Sequence, residues 1–241
     1  MIMRSSARIF SFAFYYLVIF HLVSCATVPT LKKGEHTAAE LFEYACTPGK
    51  GIHTAGGRIA AKVSSSDFSG QFLAQVLADS DGHLKLDVTN PLGGTQVLIQ
   101  VNQGNYEIIN YADRDQKPQI GKDYWGGIPL KWASSLFLGR IPCPPSDSSL
   151  RLHLGAEGEL IATWSDFNGS DRQRFVYRFR QSNQTPWPSS LSWTRDAKNS
   201  SQVDFEFESP EETTRSPEKW EARSSQGQVK VKWRTREITR D

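Results

Sequence analysis

The stretch that decides the fold is residues 83–101, HLKLDVTNPLGGTQVLIQV. Apolar and polar residues alternate on both sides of a central turn. The apolar positions are Leu84, Leu86, Val88, Val97, Ile99 and Val101. Alternation with a period of two is typical of a strand with one buried face, so this stretch predicts two antiparallel strands joined by the turn.

The turn has an apolar residue at its tip. Pro91 restricts the backbone and Gly93 and Gly94 permit the conformations of a tight turn, yet Leu92 lies between them. Such a side chain either folds back onto the core or contacts something outside the protein. Because single exposed leucines are common, the turn alone favours the folded-back position.

The N-terminal segment favours the other position, in which Leu92 contacts something outside the protein. Residues 1–24 contain two arginines, no acidic residue and an apolar run at 9–20, which is typical of a secretory signal. The segment leads into Leu22-Val23-Ser24-Cys25, the pattern of a bacterial lipoprotein-processing site. We expect residues 1–24 to be a lipoprotein signal peptide and Cys25 to carry the lipid anchor. The alternative is a plain signal peptide, or an uncleaved anchor, with a coincidental cysteine.

The charge balance argues against a nucleic-acid-binding protein. The chain has 28 basic and 26 acidic residues, and two of the basic ones, Arg4 and Arg8, precede Cys25. The chain after Cys25 therefore has a formal net charge near zero and no global field that would attract nucleic acid. Residues 48–241 contain no obvious long linker, so we expect one domain there, preceded by a tether and short helix at 25–47.

Period-two alternation recurs through most of the chain and predicts a mainly β fold. About eleven strands in one strongly curved antiparallel sheet would leave an apolar concave face. Residues 49–57 are predicted to be a break before the first strand. Besides the opening pair, the predicted strands are 59–65, 71–78, 106–111, 149–154, 160–164, 174–180, 190–195, 203–208, 220–223 and 228–235.

Two helices are predicted. Thr37 can cap a brief helix at 37–44, with Glu40 three residues on. Residues 128–139 are predicted to form one helix with Pro129 in its first turn and Gly139 at its end. Its apolar stripe, which would cover the concave face of the sheet, is Leu130, Ala133, Leu136 and Phe137.

Several motifs resemble those of the LolB family, the outer-membrane lipoprotein receptors of Gram-negative bacteria. The specific motifs are TNPLGGT at 89–95 and IPL at 128–130, followed by LFLG at 136–139. Gly57, the IGK sequence at 120–122 and the PWP sequence at 186–188 fit as well. The similarity spans about residues 56–209. Residues 209–241 extend past the usual end of the family, either to complete the barrel or for a separate role.

The resemblance implies an unclosed β-barrel with a short helical lid over an apolar cavity. In the family this cavity receives acyl chains of lipoproteins delivered by the soluble carrier LolA. The family's membrane-targeting leucine lies in a protruding turn and corresponds to Leu92, flanked by Pro91 and Gly93. We expect the acyl-binding cavity to be lined by Phe72, Val76, Leu84, Leu86, Val88, Val97, Ile99, Val101, Leu130, Leu136 and Phe137. The alternative for these positions is a tightly packed core.

The expected function is therefore that of a receptor anchored to the periplasmic face of the outer membrane through Cys25. Its partners would be a LolA-like periplasmic carrier, acylated lipoproteins and outer-membrane lipid, with no nucleic acid, and the protein would be a monomer. It would need no cofactor and no metal. The main alternative is a structural or envelope-assembly lipoprotein that uses the same fold to bind a partner protein without lipid transfer.

Three sequence motifs typical of enzymes or metal sites are missing from the chain. These are G-x-S-x-G, H-E-x-x-H and paired C-x-x-C, and on this basis we expect no catalytic residues. Cys46 and Cys143 could form a disulfide in an oxidising periplasm or remain buried thiols. The basic residues Lys230, Lys232, Arg234 and Arg236 could form a solvated edge strand or a contact for lipid headgroups or the carrier.

Overall fold

The computed structural model describes residues 34–65, 69–89, 94–113, 115–182, 184–196, 200–211 and 214–240. The predicted signal peptide and four predicted site residues, Cys25, Pro91, Leu92 and Gly93, lie outside these ranges. The proposed roles of these residues therefore stay predictions.

The described residues form two short α-helices, one 3₁₀ helix and fifteen strands. The helices are α1 (Ala38–Cys46), the 3₁₀ helix (Leu130–Trp132) and α2 (Ala133–Phe137). None of the helices in the described ranges is long and apolar enough to cross a membrane. The strands are β1 (Ile52–Ser65), β2 (Ser69–Asp79), β3 (His83–Thr89), β4 (Thr95–Asn102), β5 (Asn105–Asn110), β6 (Gln119–Lys122), β7 (Tyr124–Trp125), β8 (Ile128–Pro129), β9 (Arg151–Leu154), β10 (Leu160–Ser165), β11 (Arg172–Ser182), β12 (Thr185–Asp196), β13 (Ser201–Phe207), β14 (Lys219–Ser224) and β15 (Gly227–Arg240).

Thirteen of these strands form one antiparallel sheet. Its order is β6-β5-β4-β3-β2-β1-β15-β14-β13-β12-β11-β10-β9, and β7 and β8 pair with each other. The sheet is open, with β6 at one edge and β9 at the other. The predicted mainly β, curved and unclosed fold is confirmed, with thirteen strands in the sheet rather than about eleven.

The predicted boundary before β1 was wrong, and one strand of the sheet was missed. The break expected at 49–57 ends early, because β1 begins at Ile52. The edge strand β6 was missed, because its single large apolar side chain, Ile120, is exposed and gives no alternating pattern.

The last strands of the chain lie in the middle of the sheet. β15 pairs with β1 along its whole length on one side and with β14 on the other. Among the described strands, β1–β6 and β9–β13 belong to one sheet only through β14 and β15. Residues 209–241 therefore complete the sheet, which resolves the open question about this extension.

The basic residues near the C-terminus do not lie on an edge strand, since β15 is central. Lys230 Nζ lies 2.7 Å from Glu221 Oε2. A β-bulge at Arg234 shifts the alternation, because Trp233 pairs with Ile59 whereas Thr235 pairs with Arg58.

The bulge turns Arg236 toward the core side of the sheet. Its Nη2 donates to Phe137 O at 3.1 Å, at the C-terminal end of α2, where a cation is stabilising. Burial lowers the pKa of Arg236 to about 10, so the guanidinium stays charged at neutral pH. A side chain at Gly57 would lie 2.3 Å from Thr235 O, so the close approach of β1 to the bulge requires glycine.

The helix α1 has the predicted cap at Thr37 and ends at Cys46, two residues later than predicted. Glu40 N donates to Thr37 Oγ1 at 3.2 Å and Thr37 N donates to Glu40 Oε2 at 2.7 Å, which forms a capping box. Leu41 and Ala45 are buried in the main core.

A disulfide joins α1 to the segment that follows α2. Cys46 and Cys143 are bonded, with their Cα atoms 6.0 Å apart, so these two residues do not remain thiols. The same segment is held by the hydroxyl of Tyr177, which donates to Pro142 O at 2.8 Å. Arg140 Nη2 donates to Ile52 O at 2.8 Å.

Residues 128–139 do not form the single helix that was predicted. Pro129 has an extended backbone in β8, and Leu130 N donates to Asp123 O at 2.8 Å to close the β7–β8 hairpin. The 3₁₀ helix and α2 follow, and the turn at Gly139 has a φ of +76°, which favours glycine. The apolar pattern is present, but its first two residues, Ile128 and Pro129, pair in the β7–β8 hairpin and do not begin a helix.

Aromatic side chains of this helical segment fill the space beneath the second half of the sheet. Trp132 contacts Trp193 edge-to-face, with ring centroids 4.9 Å apart, and also lies against Phe175 and Phe205. Phe137 packs in the same way on Trp220 and Trp233. Because β11 to β15 all contribute to these contacts, the sheet curves around the segment.

We predict that the disulfide stabilises the fold by constraining the unfolded chain. It links residues separated by 97 positions, and loops of this size correspond to about 2–5 kcal/mol. The double variant Cys46→Ser/Cys143→Ser should lose about that much free energy of unfolding in a urea titration. A reducing agent should bring the wild-type protein to the same value and leave the variant unchanged. Equal stability of the oxidised wild type and the variant would contradict this account.

Candidate apolar binding site

The cross-strand register of β2 to β5 arranges inward side chains in three rows. We call the sheet end that carries Thr89 and Thr95 the rim, and the opposite end the base. Residues in one row are direct cross-strand partners. The base row is Ala78, Leu84, Val101 and Tyr106; the middle row is Val76, Leu86, Ile99 and Ile108; and the rim row is Ala74, Val88, Val97 and Asn110.

On β3 and β4 the side chains of the base row are buried, whereas those of the middle and rim rows are half-buried. Leu84 and Val101 are each only 4% exposed. The helix α2 packs on β2 and β3, and the Ser134 hydroxyl donates to Asp79 O at the end of β2. The helix α2 has only five residues.

Five inward aliphatic side chains are only half-buried, and we call them the trough. They are Leu86, Val88, Val97, Ile99 and Ile108. Leu86 and Val88 border the buried core, whereas the other three lie farther out on β4 and β5. Partly exposed branched side chains on one concave face form a surface that an apolar ligand can cover.

The two halves of the concave face differ in how they are filled. The half made by β11 to β15 is packed with aromatic rings around Trp132 and Phe137. The half made by β2 to β5 carries smaller aliphatic side chains and retains the trough. On the inward face of β2 to β5, apolar side chains therefore remain partly exposed.

The β7–β8 hairpin runs along the concave side from β6 to the second half of the sheet. Asp123 N donates to Gly104 O at 2.8 Å, next to β5. Farther along, Tyr124 accepts a hydrogen bond from Arg195 Nη1 at 2.8 Å, and the Ser224 hydroxyl donates to Gly126 O at 2.5 Å. These contacts fix the hairpin to β12 and β14.

Charged side chains lie next to the β7–β8 hairpin. Arg195 Nε donates to Asp171 Oδ1 at 2.7 Å, and its bonds to Asp171 and Tyr124 raise the pKa of Arg195. Lys131 Nζ lies 4.9 Å from the ring centre of Trp132, and burial lowers the pKa of this lysine.

The structure brings together all eight strand residues predicted to line the cavity. Phe72, Val76, Leu84, Leu86, Val88, Val97, Ile99 and Val101 lie on one face of β2 to β4. Val76, Leu84 and Val101 are buried supports, and Phe72 is half-buried against the core.

The three helical residues predicted for the cavity occupy different environments. Leu130 is half-buried in the 3₁₀ helix, whereas Leu136 and Phe137 are buried in the core. Whether the predicted residues bind acyl chains is a functional prediction that their position alone does not test.

Ile108 was not predicted as a site residue. The strand 106–111 was expected, but its pairing with Ile99 depends on the register across the turn at 103–104, which residue types do not specify. Ile108 therefore extends the trough onto β5.

A small polar cluster was also missed, at the base end of β2 and β3. Ligand atoms of Asp79, Asp81 and His83 lie within 4.8 Å of one another. Asp79 Oδ1 accepts from Asp81 N and His83 N, both at 3.0 Å, and Asp79 Oδ2 lies 2.8 Å from His83 Nδ1. These contacts account for the cluster as the closure of a tight turn.

No protein-family model matches the chain, and no curated protein sequence matches it. Similar solved structures include a LolA superfamily protein from Nitrosomonas europaea, with 11% identity, 85% of this chain and 94% of that chain covered, and a TM-score of 0.46. A domain assigned to outer membrane lipoprotein sorting from Vibrio parahaemolyticus has 7% identity, coverages of 84% and 91%, and a TM-score of 0.46. A DUF1329 family protein from Desulfovibrio piger has 8% identity, coverages of 79% and 87%, and a TM-score of 0.48. These likenesses do not determine what this chain binds.

Proposed function

We propose that this protein binds acyl chains in the trough and is a LolB-like receptor. It would accept acylated lipoproteins from a LolA-like periplasmic carrier and insert them into the outer membrane. The observation that supports the proposal is the half-buried aliphatic surface of Leu86, Val88, Val97, Ile99 and Ile108 on a concave face.

Transfer of an acyl chain requires an acceptor of comparable apolar character. Each methylene moved from water into an apolar site contributes about 0.8 kcal/mol. A chain bound in a carrier therefore does not leave it unless another apolar surface receives the chain directly. A trough that is open along one side can receive a chain from a carrier and release it again. This role needs binding and no covalent step, so we propose a non-enzymatic protein without a cofactor.

We propose that Cys25 anchors the protein and that Leu92 orients the release. Insertion of one leucine contributes at most about 1.5–3 kcal/mol, which is too little to hold a protein at a bilayer. The strands β3 and β4 end at the rim on either side of residues 90–93. Leu92 would therefore act near the rim end of the trough.

The aromatic packing favours a second candidate. Trp132, Trp193 and Phe205 leave the second half of the concave face filled. A protein with a filled interior could instead be an envelope-assembly lipoprotein that holds a partner protein without lipid transfer. The two candidates differ in whether the purified protein binds an acyl chain.

We predict that a carboxylate in the trough prevents acyl binding. Ile99→Glu should weaken the binding of a fluorescent fatty acid at least about tenfold, because a carboxylate in an apolar site costs several kcal/mol. Leu98→Glu is the matched control, since Leu98 is also half-buried but faces the convex side of the same strand. It should change the affinity less than about twofold.

Circular dichroism and thermal melting of both variants must show a folded protein. Unchanged binding by folded Ile99→Glu would contradict the acyl site, as would equal loss in the two variants. A wild-type protein that binds no fatty acid would favour the assembly role.

We predict that Leu92→Glu impairs delivery to the bilayer but not acyl binding. The measurements are transfer of a labelled lipoprotein into liposomes, fatty-acid binding and urea unfolding. For an exposed leucine, Leu92→Ala should change the free energy of unfolding by less than about 0.5 kcal/mol. A loss of about 2–5 kcal/mol would instead place Leu92 in the core. Full transfer by Leu92→Glu would also contradict its targeting role.

A further inference from the structure

Exposed apolar side chains in the loops lie at one end of the sheet. The strand pairings bring the C-terminal end of β5, which is followed by Tyr111, and the connection 166–171 to the rim. In the described part of the chain, the large hydrophobic residues that are exposed in loops are Tyr111, which is 50% exposed, and Phe167, which is fully exposed. The other exposed large hydrophobic residues lie within strands. The rim therefore differs from the base in having apolar loop tips.

The loop that carries Phe167 is held by Asp166. Asp166 N donates to Asp171 O at 3.0 Å, and Gly169 N donates to Asp166 O at 3.0 Å. The Asp166 carboxylate accepts from Ser170 Oγ at 2.7 Å and from Asp171 N at 3.1 Å. Four hydrogen bonds thus define the tip between β10 and β11. Phe167 is presented to solvent by an ordered turn instead of folding back onto the core.

A pocket of about 480 Å³ lies beside this tip. Its lining combines Phe167 and Trp164 with two cations, Arg151 and Arg172, one carboxylate, Asp166, and several hydroxyl groups. Trp164 Nε1 donates to Asp147 Oδ2 at 2.9 Å, which fixes the indole. Aromatic and basic side chains side by side match the boundary between acyl chains and phosphate headgroups.

We infer that the Phe167 tip is a second membrane contact of this protein. The partner is a bilayer with anionic phosphate headgroups, into which the Phe167 ring inserts while Arg151 and Arg172 bind the headgroups. The inference rests on the proposed acyl-binding function, because a chain that leaves the trough toward the rim must find the bilayer there. Together with the membrane contact proposed for Leu92, this tip would fix the tilt of the protein on the membrane.

Photo-cross-linking tests the contact directly. The full chain is prepared with p-benzoylphenylalanine in place of Phe167, or in place of Leu77 as a control, and mixed with vesicles of phosphatidylethanolamine and phosphatidylglycerol. Leu77 is equally apolar and 57% exposed but lies on the convex wall of β2. Irradiation should attach lipid at position 167 and not at position 77, as measured by mass spectrometry.

A separate variant tests whether Arg172 binds anionic headgroups. Arg172→Gln should lower the lipid adduct at position 167 about fivefold in the same vesicles, as expected for the loss of one cation at an anionic surface. Its effect should be much smaller with phosphatidylcholine vesicles. Equal effects in both vesicle types would show that the arginine does not act on anionic headgroups and would overturn that assignment.

Failure of the contact and failure of the proposed function give different results. Fatty-acid binding that is normal in the chain substituted at 167, without a lipid adduct there, overturns the second contact and leaves the acyl site intact. An adduct at 77 as strong as that at 167, or no association with vesicles, also overturns the contact. Loss of fatty-acid binding in every sample would instead contradict the acyl site.

Discussion

The ladder between β1 and β15 is the interaction on which the rest of the structure depends. It pairs residues that are far apart in sequence, such as Ile59 with Trp233 and Val63 with Val229. Without this ladder, β1–β6 and β9–β15 would be two smaller sheets, each with an exposed edge of unpaired main-chain groups. With it, both halves curve around the same short helical segment and share one core.

The unequal filling of the two halves is the basis of the functional proposal. The rings of Trp132 and Phe137 pack on aromatic side chains of β11 to β15, whereas α2 has only five residues to place on β2 and β3. A short helix cannot cover a wide concave face, so aliphatic side chains near the rim remain partly exposed. Burial of this surface would stabilise a bound ligand by about 25 cal/mol for each Å² removed from water, before the cost of ordering the ligand.

The local parts of this fold could be predicted from residue types, and the long-range parts could not. Alternation around Leu86 and Ile99 predicted the central hairpin, and Thr37 with Glu40 predicted the cap of α1. The prediction of a single helix at 128–139 was wrong because Leu130 N donates to Asp123 O in a hairpin that residue types do not reveal. The bulge at Arg234 reverses the side to which Arg236 points, and the pairing of β15 with β1 has no local signature. The inward face of β2 to β4 follows from local alternation and was predictable. The addition of Ile108 depends on the register across the turn at 103–104 and was not.

Methyl nuclear magnetic resonance with a spin-labelled fatty acid tests the central claim most directly. The protein is labelled at its isoleucine, leucine and valine methyl groups and titrated with doxyl-stearic acid, which broadens signals of nearby protons. The account predicts that the signals of Val88, Val97, Ile99 and Ile108 broaden first, whereas those of Leu73 and Leu77 on the convex side stay sharp. Broadening centred on the convex side, or none at concentrations that saturate a specific site, would contradict an acyl-binding trough.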